Sequence, residues 1–343
     1  MLISQFDYEL PTDLIAQEPN SDRSSSRMLV VDRSANIFQD ARFLDLPTYL
    51  NKDDVLVLNN TEVFPARLFG RSETGSKIEI FLVREMGDQV WESLARPARR
   101  LKTGKIIHFG DKLNGEVLEK TQDGKVHIRF SADGNFDDIL DEIGRTPLPP
   151  YIRRDASGID ADRQRYQTVF SSKRGAIAAP TAGLHFTPDV LEAIRQKGVE
   201  ILEITLHVGY GTFEPVRSVD LDQHTVSAER YEISNATADS LNTAAGDGRR
   251  IVAVGTTTTR ALESNLAENE HFTSGRHVAD LTIRPGYAFK SVDSLLTNFH
   301  LPMSSLLVLT STFGGHKLIM DAYRHAVSSR YRFYSYGDCM LIV

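Results

Sequence analysis

Four segments of the sequence place glycine, threonine or histidine directly after a run of apolar residues. They occupy residues 178–187, 206–213, 254–260 and 297–302. Each segment alone indicates only a turn, because glycine commonly serves turn geometry after a strand. Loops that follow the strands of an α/β sheet are held rigidly yet open to solvent, so binding sites gather there. Four such segments together, three of them with a histidine, predict a shared pocket.

The common phosphate-binding and catalytic motifs do not account for these segments. Residues 70–77 resemble a phosphate-binding loop, but the Gly-Lys-Ser order is scrambled. Glu214 stands where a dinucleotide-binding fingerprint requires its third glycine. No H-E-x-x-H zinc motif and no G-x-S-x-G nucleophile motif occurs in the sequence. A metal site formed by His185, His207 and His300 stays open as an alternative.

Length and composition indicate a folded protein of two domains. The chain has 343 residues, of which 41% are hydrophobic and 25% charged, an ordinary balance for a globular protein. The single cysteine, Cys339, excludes an internal disulfide and a cysteine zinc site. The N-terminal segment lacks the basic start and apolar run of a signal peptide, and no apolar stretch reaches the roughly 20 residues of a membrane helix. We therefore expect a cytoplasmic protein.

Basic residues are concentrated in two stretches, although the formal net charge is -7. An acidic chain is not typical of a simple nucleic-acid coat protein, but a local positive field can still attract RNA. The stretch 96–105 contains no acidic residue, whereas aspartates dilute the stretch 153–174, and a solvated face is the alternative for both. The candidate nucleic-acid-binding residues are Arg96, Arg99, Arg100, Lys102, Lys105, Arg153 and Arg154.

Residues 67–145 have a different pattern from the rest of the chain. Segments 77–83 and 125–130 alternate polar with apolar residues, and glycine-containing turns separate such segments. Short strands at this spacing are typical of a small antiparallel β-barrel. The flanking parts, 1–66 and 146–343, alternate strand and helix patterns, so we expect both chain ends to form one large mixed α/β body.

Within the body, apolar periodicity predicts the individual elements. Unbroken apolar runs predict buried strands, and longer amphipathic patterns predict helices. Strands are predicted over 54–58, 199–207, 250–254 and 305–309. Helices are predicted over 162–170, 188–197, 236–245, 260–267 and 317–328.

Several longer motifs carry a resemblance to a known family. They are PTAGLHFT, LHVGYGTF and LLTNFHLP, together with NNTEVFPARL, TPLPPYI, DRQRYQTVF and YRFYSYGDCMLI. Over essentially the whole chain, these motifs resemble the S-adenosylmethionine:tRNA ribosyltransferase-isomerase family of queuosine biosynthesis. The resemblance implies a large α/β body interrupted by a small β-barrel, which agrees with the change of pattern at residues 67–145.

The resemblance also implies a reaction. The ribosyl part of S-adenosylmethionine is transferred to the aminomethyl group of 7-aminomethyl-7-deazaguanine at the wobble position of tRNA and isomerised. Epoxyqueuosine-tRNA forms, and adenine and methionine are released. S-adenosylmethionine is then a consumed substrate, and no cofactor and no metal are expected. The implied partners are tRNA and S-adenosylmethionine, and no association with a membrane is expected. We expect a monomer. The two basic stretches become the predicted tRNA-binding surface.

Such a reaction needs groups that move protons. The sulfonium acidifies the adjacent C5′ protons, so a general base must lie near that carbon, and loss of adenine needs a proton donor. Histidine and carboxylate side chains suit these tasks, because their pKa values can be brought near the working pH. The candidates are His185, His207 and His300 as base and acid, with Glu214 and Asp338 as carboxylates. A structural hydrogen bond is the ordinary alternative for each histidine.

Other residues of the same segments are candidates for substrate binding. Glycines let the backbone approach a ligand, threonines can bind ribose hydroxyls or the methionine carboxylate, and an arginine can clamp that carboxylate. Aromatic rings can stack on adenine or face the sulfonium, with core packing as the alternative. The candidates are Thr181, Gly183, Gly209, Tyr210, Gly211, Thr212, Phe213, Gly255, Thr256, Thr257, Arg260, Asn298 and Tyr336.

Three other classes of protein are alternatives. A metal-dependent hydrolase would use the three histidines and hold metal in the purified protein. An S-adenosylmethionine methyltransferase would leave S-adenosylhomocysteine, whereas ribosyl transfer leaves adenine and methionine. A non-catalytic RNA-binding module would centre on the β insert, but the pocket motifs lie outside it.

Overall fold

A computed structural model describes residues 1–154, 159–209, 216 and 218–343 of the chain. In this part, the helices are α1 (Leu46–Tyr49), α2 (Phe136–Ile143), α3 (Ile159–Arg165), α4 (Pro188–Gln196), α5 (Asn235–Gly246), α6 (Thr256–Glu268), α7 (Ser305–Gly314) and α8 (His316–Ser328). The body strands are β1 (Arg27–Asp32), β2 (Ile37–Arg42), β3 (Val55–Asn59), β4 (Thr61–Val63), β11 (Lys173–Ala176), β12 (Glu200–Leu206), β13 (Glu229–Ile233), β14 (Ile251–Val254), β15 (Gly275–Ala279), β16 (Ser294–Asn298) and β17 (Cys339–Ile342). The insert contributes β5 (Arg67–Ser72), β6 (Lys77–Gly87), β7 (Val90–Arg96), β8 (Ile106–His108), β9 (Leu113–Lys120) and β10 (Val126–Ala132).

Nine strands of the body form one mixed sheet in the order β15-β13-β12-β3-β14-β16-β17-β1-β2. The central strands β12, β3, β14 and β16 run parallel, so their carboxyl ends meet at one edge. Strands β4 and β11 pair in parallel as a separate two-stranded sheet, and β4 follows β3 directly in the chain. The segments that the sequence singles out follow β11, β12, β14 and β16, and this edge therefore brings the candidate residues together.

Alternate residues of each central strand pack on opposite faces of the sheet, as the pleat of a β-strand requires. Val55 and Val57 join a core that includes α5, α6, α7 and α8, whereas Leu56 and Leu58 join a core that includes α4. All five residues of β3 are buried. The unbroken apolar run therefore corresponds to a strand covered on both faces, as predicted.

The insert is a closed antiparallel barrel in the order β10-β7-β6-β5-β8-β9. Its interior is filled by apolar side chains from alternating positions, and Ile139 and Leu140 of α2 complete that core. An isolated bridge between Arg67 and Arg145 lies where the insert leaves and rejoins the body. The expected architecture, a mixed α/β body interrupted by a small β-barrel, is confirmed.

Three predicted elements differ from the structure, and the first two lie at 305–309 and 162–170. Residues 305–309 form the start of α7 rather than a strand; Ser304 caps this helix by accepting a hydrogen bond from the Leu307 amide. A short apolar run does not distinguish a buried strand from a buried helix, and the cap decides between them here. The helix predicted over 162–170 ends at Arg165, because Gln167 leaves it to exchange two hydrogen bonds with the Val63 backbone.

The helix predicted over 260–267 begins earlier, at Thr256. Four consecutive threonines have low intrinsic helix propensity. Burial in the core compensates, and Thr258 and Thr259 donate their hydroxyls back to the carbonyls of Val254 and Gly255. In the described part of the chain, no helix combines the length and the apolar character needed to cross a membrane.

Candidate active site

A cavity of about 520 Å³ lies at the edge where the parallel strands end. Its size is within the roughly 300–1,000 Å³ usual for small-molecule sites. The walls come from the segments after β11, β14 and β16, from the turn before β17, and from the chain around Tyr151. The described lining residues that carry polar groups include Tyr151, Tyr166, Thr181, Thr256, Thr257, Thr297, Asn298, His300, Ser304, Tyr334 and Ser335.

Of the three predicted histidines, His300 is the one that lines this cavity. Its Nε2 lies 2.9 Å from the Thr297 hydroxyl, and no described residue lies within hydrogen-bonding distance of its Nδ1. Its backbone is fixed on both sides, because the Tyr8 hydroxyl donates to its carbonyl and its amide donates to the Tyr323 hydroxyl. Burial lowers the pKa of His300 to about 3. The ring is therefore neutral at physiological pH, the form that accepts a proton, and the same burial makes it a weaker base than an exposed histidine.

His185 lies behind the cavity wall and positions a residue that does line it. Its Nε2 is 3.2 Å from Asn298 Oδ1, and its Nδ1 is 2.9 Å from the Ser26 hydroxyl. Because an amide oxygen only accepts, Nε2 carries the proton and Nδ1 accepts from Ser26. Burial lowers the pKa of His185 to about 4. Asn298 donates its amide to the Tyr334 carbonyl, so its orientation in the wall is fixed from two sides.

The start of α6 forms a second part of the cavity wall. Gly255 precedes this helix with a φ of 94°, a left-handed conformation that favours glycine. Thr256 and Thr257 follow it and line the cavity. Within the described part of the chain, their hydroxyls make no hydrogen bond, and the first amides of a helix have no partner inside it. Hydroxyl and N–H donors at a helix N-terminus suit a carboxylate or a ribose hydroxyl.

The turn before β17 contributes a tyrosine that the sequence did not single out. Tyr334 has a φ of 74°, a strained conformation for a residue with a side chain. Its buried hydroxyl has no hydrogen-bond partner among the described residues, and its ring packs on Tyr151 with centroids 4.0 Å apart. A strained backbone and an unpaired buried hydroxyl on a cavity wall are both typical of a ligand contact. Neither signal is visible in the sequence, whose motifs point to Tyr336 instead.

Other predicted residues lie away from the cavity. The Tyr336 hydroxyl donates to Asp162 and not into the cavity. Asp338 is buried with its oxygens on the backbone amides of Arg27 and Arg332, 2.9 and 2.8 Å away, and burial raises the pKa of this carboxyl. These contacts give Asp338 a structural role that joins two parts of the body. Gly183 lies where an added Cβ would meet Phe170 and Thr168 at 2.7–2.8 Å, so close packing accounts for it.

His207 and Arg260 are engaged with other protein groups. The Nδ1 of His207 lies 2.8 Å from the Thr61 hydroxyl, while the next residue, Val208, lines the cavity. Arg260 is buried and donates to Glu229 at 2.7 Å and to backbone carbonyls. Arg260 lines a smaller pocket of about 50 Å³ that shares Thr256 and Thr257 with the main cavity. Its charge is already paired there, which disfavours its predicted use as a carboxylate clamp.

The loop after His207 is only partly described. The Gly209 amide donates to Glu229 Oε1 at 3.0 Å. The predicted residues Tyr210, Gly211, Thr212, Phe213 and Glu214 lie outside the described residues. Their assignment stays a prediction.

The three histidines do not form one cluster. His185 bonds to Ser26 and Asn298, His207 bonds to Thr61, and His300 bonds to Thr297. Across the ranges that the structure describes, no group of three or more histidine, cysteine, aspartate or glutamate residues is arranged to hold a metal ion. The three-histidine site that the sequence left open is therefore not formed by these residues.

The two basic stretches differ in how their charges are paired. Arg96, Arg99 and Lys102 on the barrel are exposed and form no ion pair among the described residues. Arg153 is also exposed, but Arg154 forms a two-point ion pair with Asp162 at 2.5 and 2.9 Å. Lys105 is half-buried, and the side chain of Arg100 lies outside the described part. The barrel stretch therefore keeps more available positive charge than the stretch after Pro150.

Comparisons with known proteins agree with the fold and the motifs. The model of the family described as queuosine biosynthesis protein matches residues 3–342. S-adenosylmethionine:tRNA ribosyltransferase-isomerases from Syntrophotalea carbinolica, Trichlorobacter lovleyi and Halothermothrix orenii are 48%, 46% and 45% identical, and each alignment covers all of both chains. A crystal structure of S-adenosylmethionine tRNA ribosyltransferase from Thermotoga maritima is 36% identical over 99% of this chain and 100% of that one, with a TM-score of 0.56.

The chain thus combines a mixed α/β body, an inserted barrel and a cavity at the strand ends with full-length identity above 45% to these enzymes. The chain belongs to the S-adenosylmethionine:tRNA ribosyltransferase-isomerase family of queuosine biosynthesis.

Proposed function

We propose that the 520 Å³ cavity is the site at which this enzyme carries out the reaction of its family. The ribosyl moiety of S-adenosylmethionine is transferred to the aminomethyl group of 7-aminomethyl-7-deazaguanine at the wobble position of tRNA and isomerised, giving epoxyqueuosine-tRNA, adenine and methionine. The observation that carries the assignment to this cavity is the convergence of the segments after β11, β14 and β16 on it.

His300 is the proposed base. Its neutral ring faces the cavity with Nδ1 unpaired among the described residues, and Thr297 and two tyrosines fix its position. Removal of a C5′ proton beside the sulfonium needs such a neutral acceptor, held where the carbon can approach. The positive charge of the sulfonium stabilises the carbanion that forms at C5′. The same charge disfavours protonation of His300 by solvent before the reaction.

Aromatic and hydroxyl groups complete the proposed binding site. Tyr151 and Tyr334 offer ring faces for adenine and for the sulfonium. Burial raises the pKa of the Tyr334 phenol, so the hydroxyl keeps its proton and acts as a hydrogen-bond donor. Thr256, Thr257 and the first amides of α6 are the proposed partners of the methionine carboxylate or the ribose hydroxyls.

Product analysis tests the proposed reaction. The protein is incubated with S-adenosylmethionine and tRNA carrying 7-aminomethyl-7-deazaguanine, and the nucleosides and small molecules are identified by mass spectrometry. We expect epoxyqueuosine in the tRNA, with adenine and methionine formed in equal amounts. Formation of S-adenosylhomocysteine and a methylated nucleoside would contradict ribosyl transfer. The same tRNA with unmodified guanine is the control, and it should give no product.

A further inference from the structure

Three arginines converge on one short segment beside the cavity wall. Arg23 donates to the carbonyls of Leu184 and Gln164 at 3.1 and 2.9 Å. Arg165 donates to the carbonyls of Ser21 and Asn20, and Arg332 donates to the Asn20 side chain and to the Glu18 carbonyl. Arg165 and Arg332 thus hold residues 18–21, and Arg23, from the same segment, reaches Leu184 and Gln164.

No carboxylate neutralises these three cations at ion-pair distance in the described part of the chain. Some other half-buried arginines are neutralised by a carboxylate, although Arg284 also bonds only to backbone carbonyls. Arg154 pairs with Asp162 and Arg250 with Asp54, each at 2.5 Å. In contrast, Arg23, Arg165 and Arg332 bond only to carbonyl and amide oxygens.

The positive charges of the group also repel one another. Burial and the neighbouring Arg165 lower the pKa of Arg23, and burial lowers the pKa of Arg332, against which Asp338 and Glu18 act at longer range. Two like charges held close together, as Arg23 and Arg165 are, raise the free energy of the folded state. The Nε of Arg165 is in addition buried without a hydrogen-bond partner. An unused donor in a cationic group that forms no direct ion pair is typical of a site for an anion.

The position of the group relates it to the cavity. Arg23 and Arg165 line a small cleft together with Asn20, His185 and Ser335. Ser335 lines the main cavity as well, so the two spaces lie on opposite sides of one wall. The cleft itself has room for little more than a water molecule, about 20 Å³. A phosphate group is therefore too large to enter the cleft and would reach these arginines only at its mouth.

We propose that Arg23, Arg165 and Arg332 form a binding site for a phosphodiester group of the tRNA backbone next to the modified nucleotide. The inference rests on the proposed function, because tRNA is the substrate that carries phosphate, whereas S-adenosylmethionine carries none. Guanidinium groups match the geometry of phosphate oxygens and can bind them through paired hydrogen bonds. A wobble base turned into the cavity leaves its flanking phosphates outside it, and Ser335, which lines both the cavity and the cleft beside Arg23 and Arg165, shows how close the two spaces lie.

Substitution of single arginines tests the site. Arg23→Gln, Arg165→Gln and Arg332→Gln are compared with wild type in binding an anticodon stem-loop RNA that carries 7-aminomethyl-7-deazaguanine, between about 50 and 200 mM salt. We expect each variant to bind about tenfold more weakly. The slope of log affinity against log salt should fall by about 0.7–1, the value for one lost phosphate contact. The KM for S-adenosylmethionine should stay within about twofold of wild type.

Arg330→Gln is the matched control, because Arg330 is two residues from Arg332 but is 70% exposed and paired with Asp13. It should bind RNA as wild type does. Where a glutamine variant fails to fold, the corresponding lysine variant replaces it; lysine keeps the charge and the salt slope while losing the paired hydrogen bonds.

Two results would overturn the proposal. Folded glutamine variants with wild-type RNA affinity and salt slope would leave these arginines a purely structural role. A defect confined to the KM for S-adenosylmethionine would make the group a site for the methionine carboxylate.

Wild-type protein that binds the RNA but forms no epoxyqueuosine would contradict the proposed function and leave the phosphate site standing.

Discussion

The cavity in the α/β body and the inserted barrel use polar groups in different ways. Around the cavity, the buried Tyr334 hydroxyl has no hydrogen-bond partner among the described residues, and Thr256 and Thr257 also line the space. In the barrel, the interior is apolar and the surface carries ion pairs such as Arg67–Glu79 and Lys125–Glu92. An unpaired buried hydroxyl lowers stability unless a ligand satisfies it. The unpaired Tyr334 hydroxyl therefore costs stability that a bound ligand can recover, whereas these barrel ion pairs are satisfied within the protein.

The largest effect should follow from removing the proposed base. His300→Ala should lower turnover at least about 100-fold, the usual scale for a lost general base. The ring faces the cavity, and the backbone around it is held by Tyr8 and Tyr323, so the wall should persist. Turnover is measured with saturating substrates, and thermal unfolding confirms the fold. His271→Ala, at an exposed position, is the control; a folded His300→Ala protein with turnover within about threefold of wild type would contradict the assignment.

The barrel should affect tRNA binding rather than chemistry. Charge reversal at Arg96 and Arg99 together should weaken tRNA binding more than about tenfold and reduce the salt slope by about 2, because two phosphate contacts are lost. The KM for S-adenosylmethionine should not change, since these residues lie outside the cavity lining. Arg276→Glu, at a site 89% exposed on β15, is the control. Equal affinity and equal salt slope in the double variant would make the barrel stretch a solvated face.

A smaller effect should separate ligand contact from packing at Tyr334. Tyr334→Phe removes a hydroxyl that has no partner in the described structure, so thermal stability should not fall. If the hydroxyl binds substrate, kcat/KM should drop about tenfold, the loss of one good hydrogen bond. Tyr49→Phe, at a residue outside the cavity lining, is the control. Unchanged kcat/KM would show that the unpaired hydroxyl has no part in binding.

Much of the fold was predictable from sequence, because it rests on local periodicity. The apolar run at β3, the glycine after α4 and the alternation in the barrel each follow from one short stretch of chain. The error at 305–309 arose where an apolar run fits both a strand and a helix, and only the Ser304 cap distinguishes them.

The candidate site was less predictable, because motifs show which segments meet but not which side chains face the cavity. His300 and His185 stand in equally distinctive motifs, yet one lines the cavity and the other lies behind Asn298. Tyr334 and Tyr336 are two residues apart, and a backbone turn with positive φ decides which of them faces the cavity. The direction in which a side chain points depends on tertiary packing and cannot be inferred from the residue types.

The buried His185 should make stability depend on pH. Its pKa is about 4 in the folded protein and about 6.5 in an unfolded chain. The unfolded state therefore binds more protons between these values, and the stabilisation, fully present above pH 6.5, is lost as the pH falls toward 4. Between pH 7 and 6, wild type should lose about 0.7 kcal/mol more than His185→Gln. Denaturant titrations at both pH values measure this difference, and parallel losses would contradict the neutral buried ring.

The smallest effect on turnover is expected at His207, and it tests where the site ends. His207 precedes the cavity-lining Val208 but turns its ring toward Thr61 and packs it on Gly175, where an added Cβ would lie 2.7 Å from the ring. His207→Ala should therefore reduce stability through the lost packing and change kcat less than about threefold, because the ring reaches no described part of the cavity. Gly175→Ala is the matched variant: it displaces the same ring without removing it, at a φ of 152° that disfavours a side chain. Both variants should unfold more easily and still turn over. A 100-fold loss of kcat in His207→Ala, with Gly175→Ala also impaired, would extend the active site to the sheet formed by β4 and β11. His207 would then take part in the reaction as His300 does.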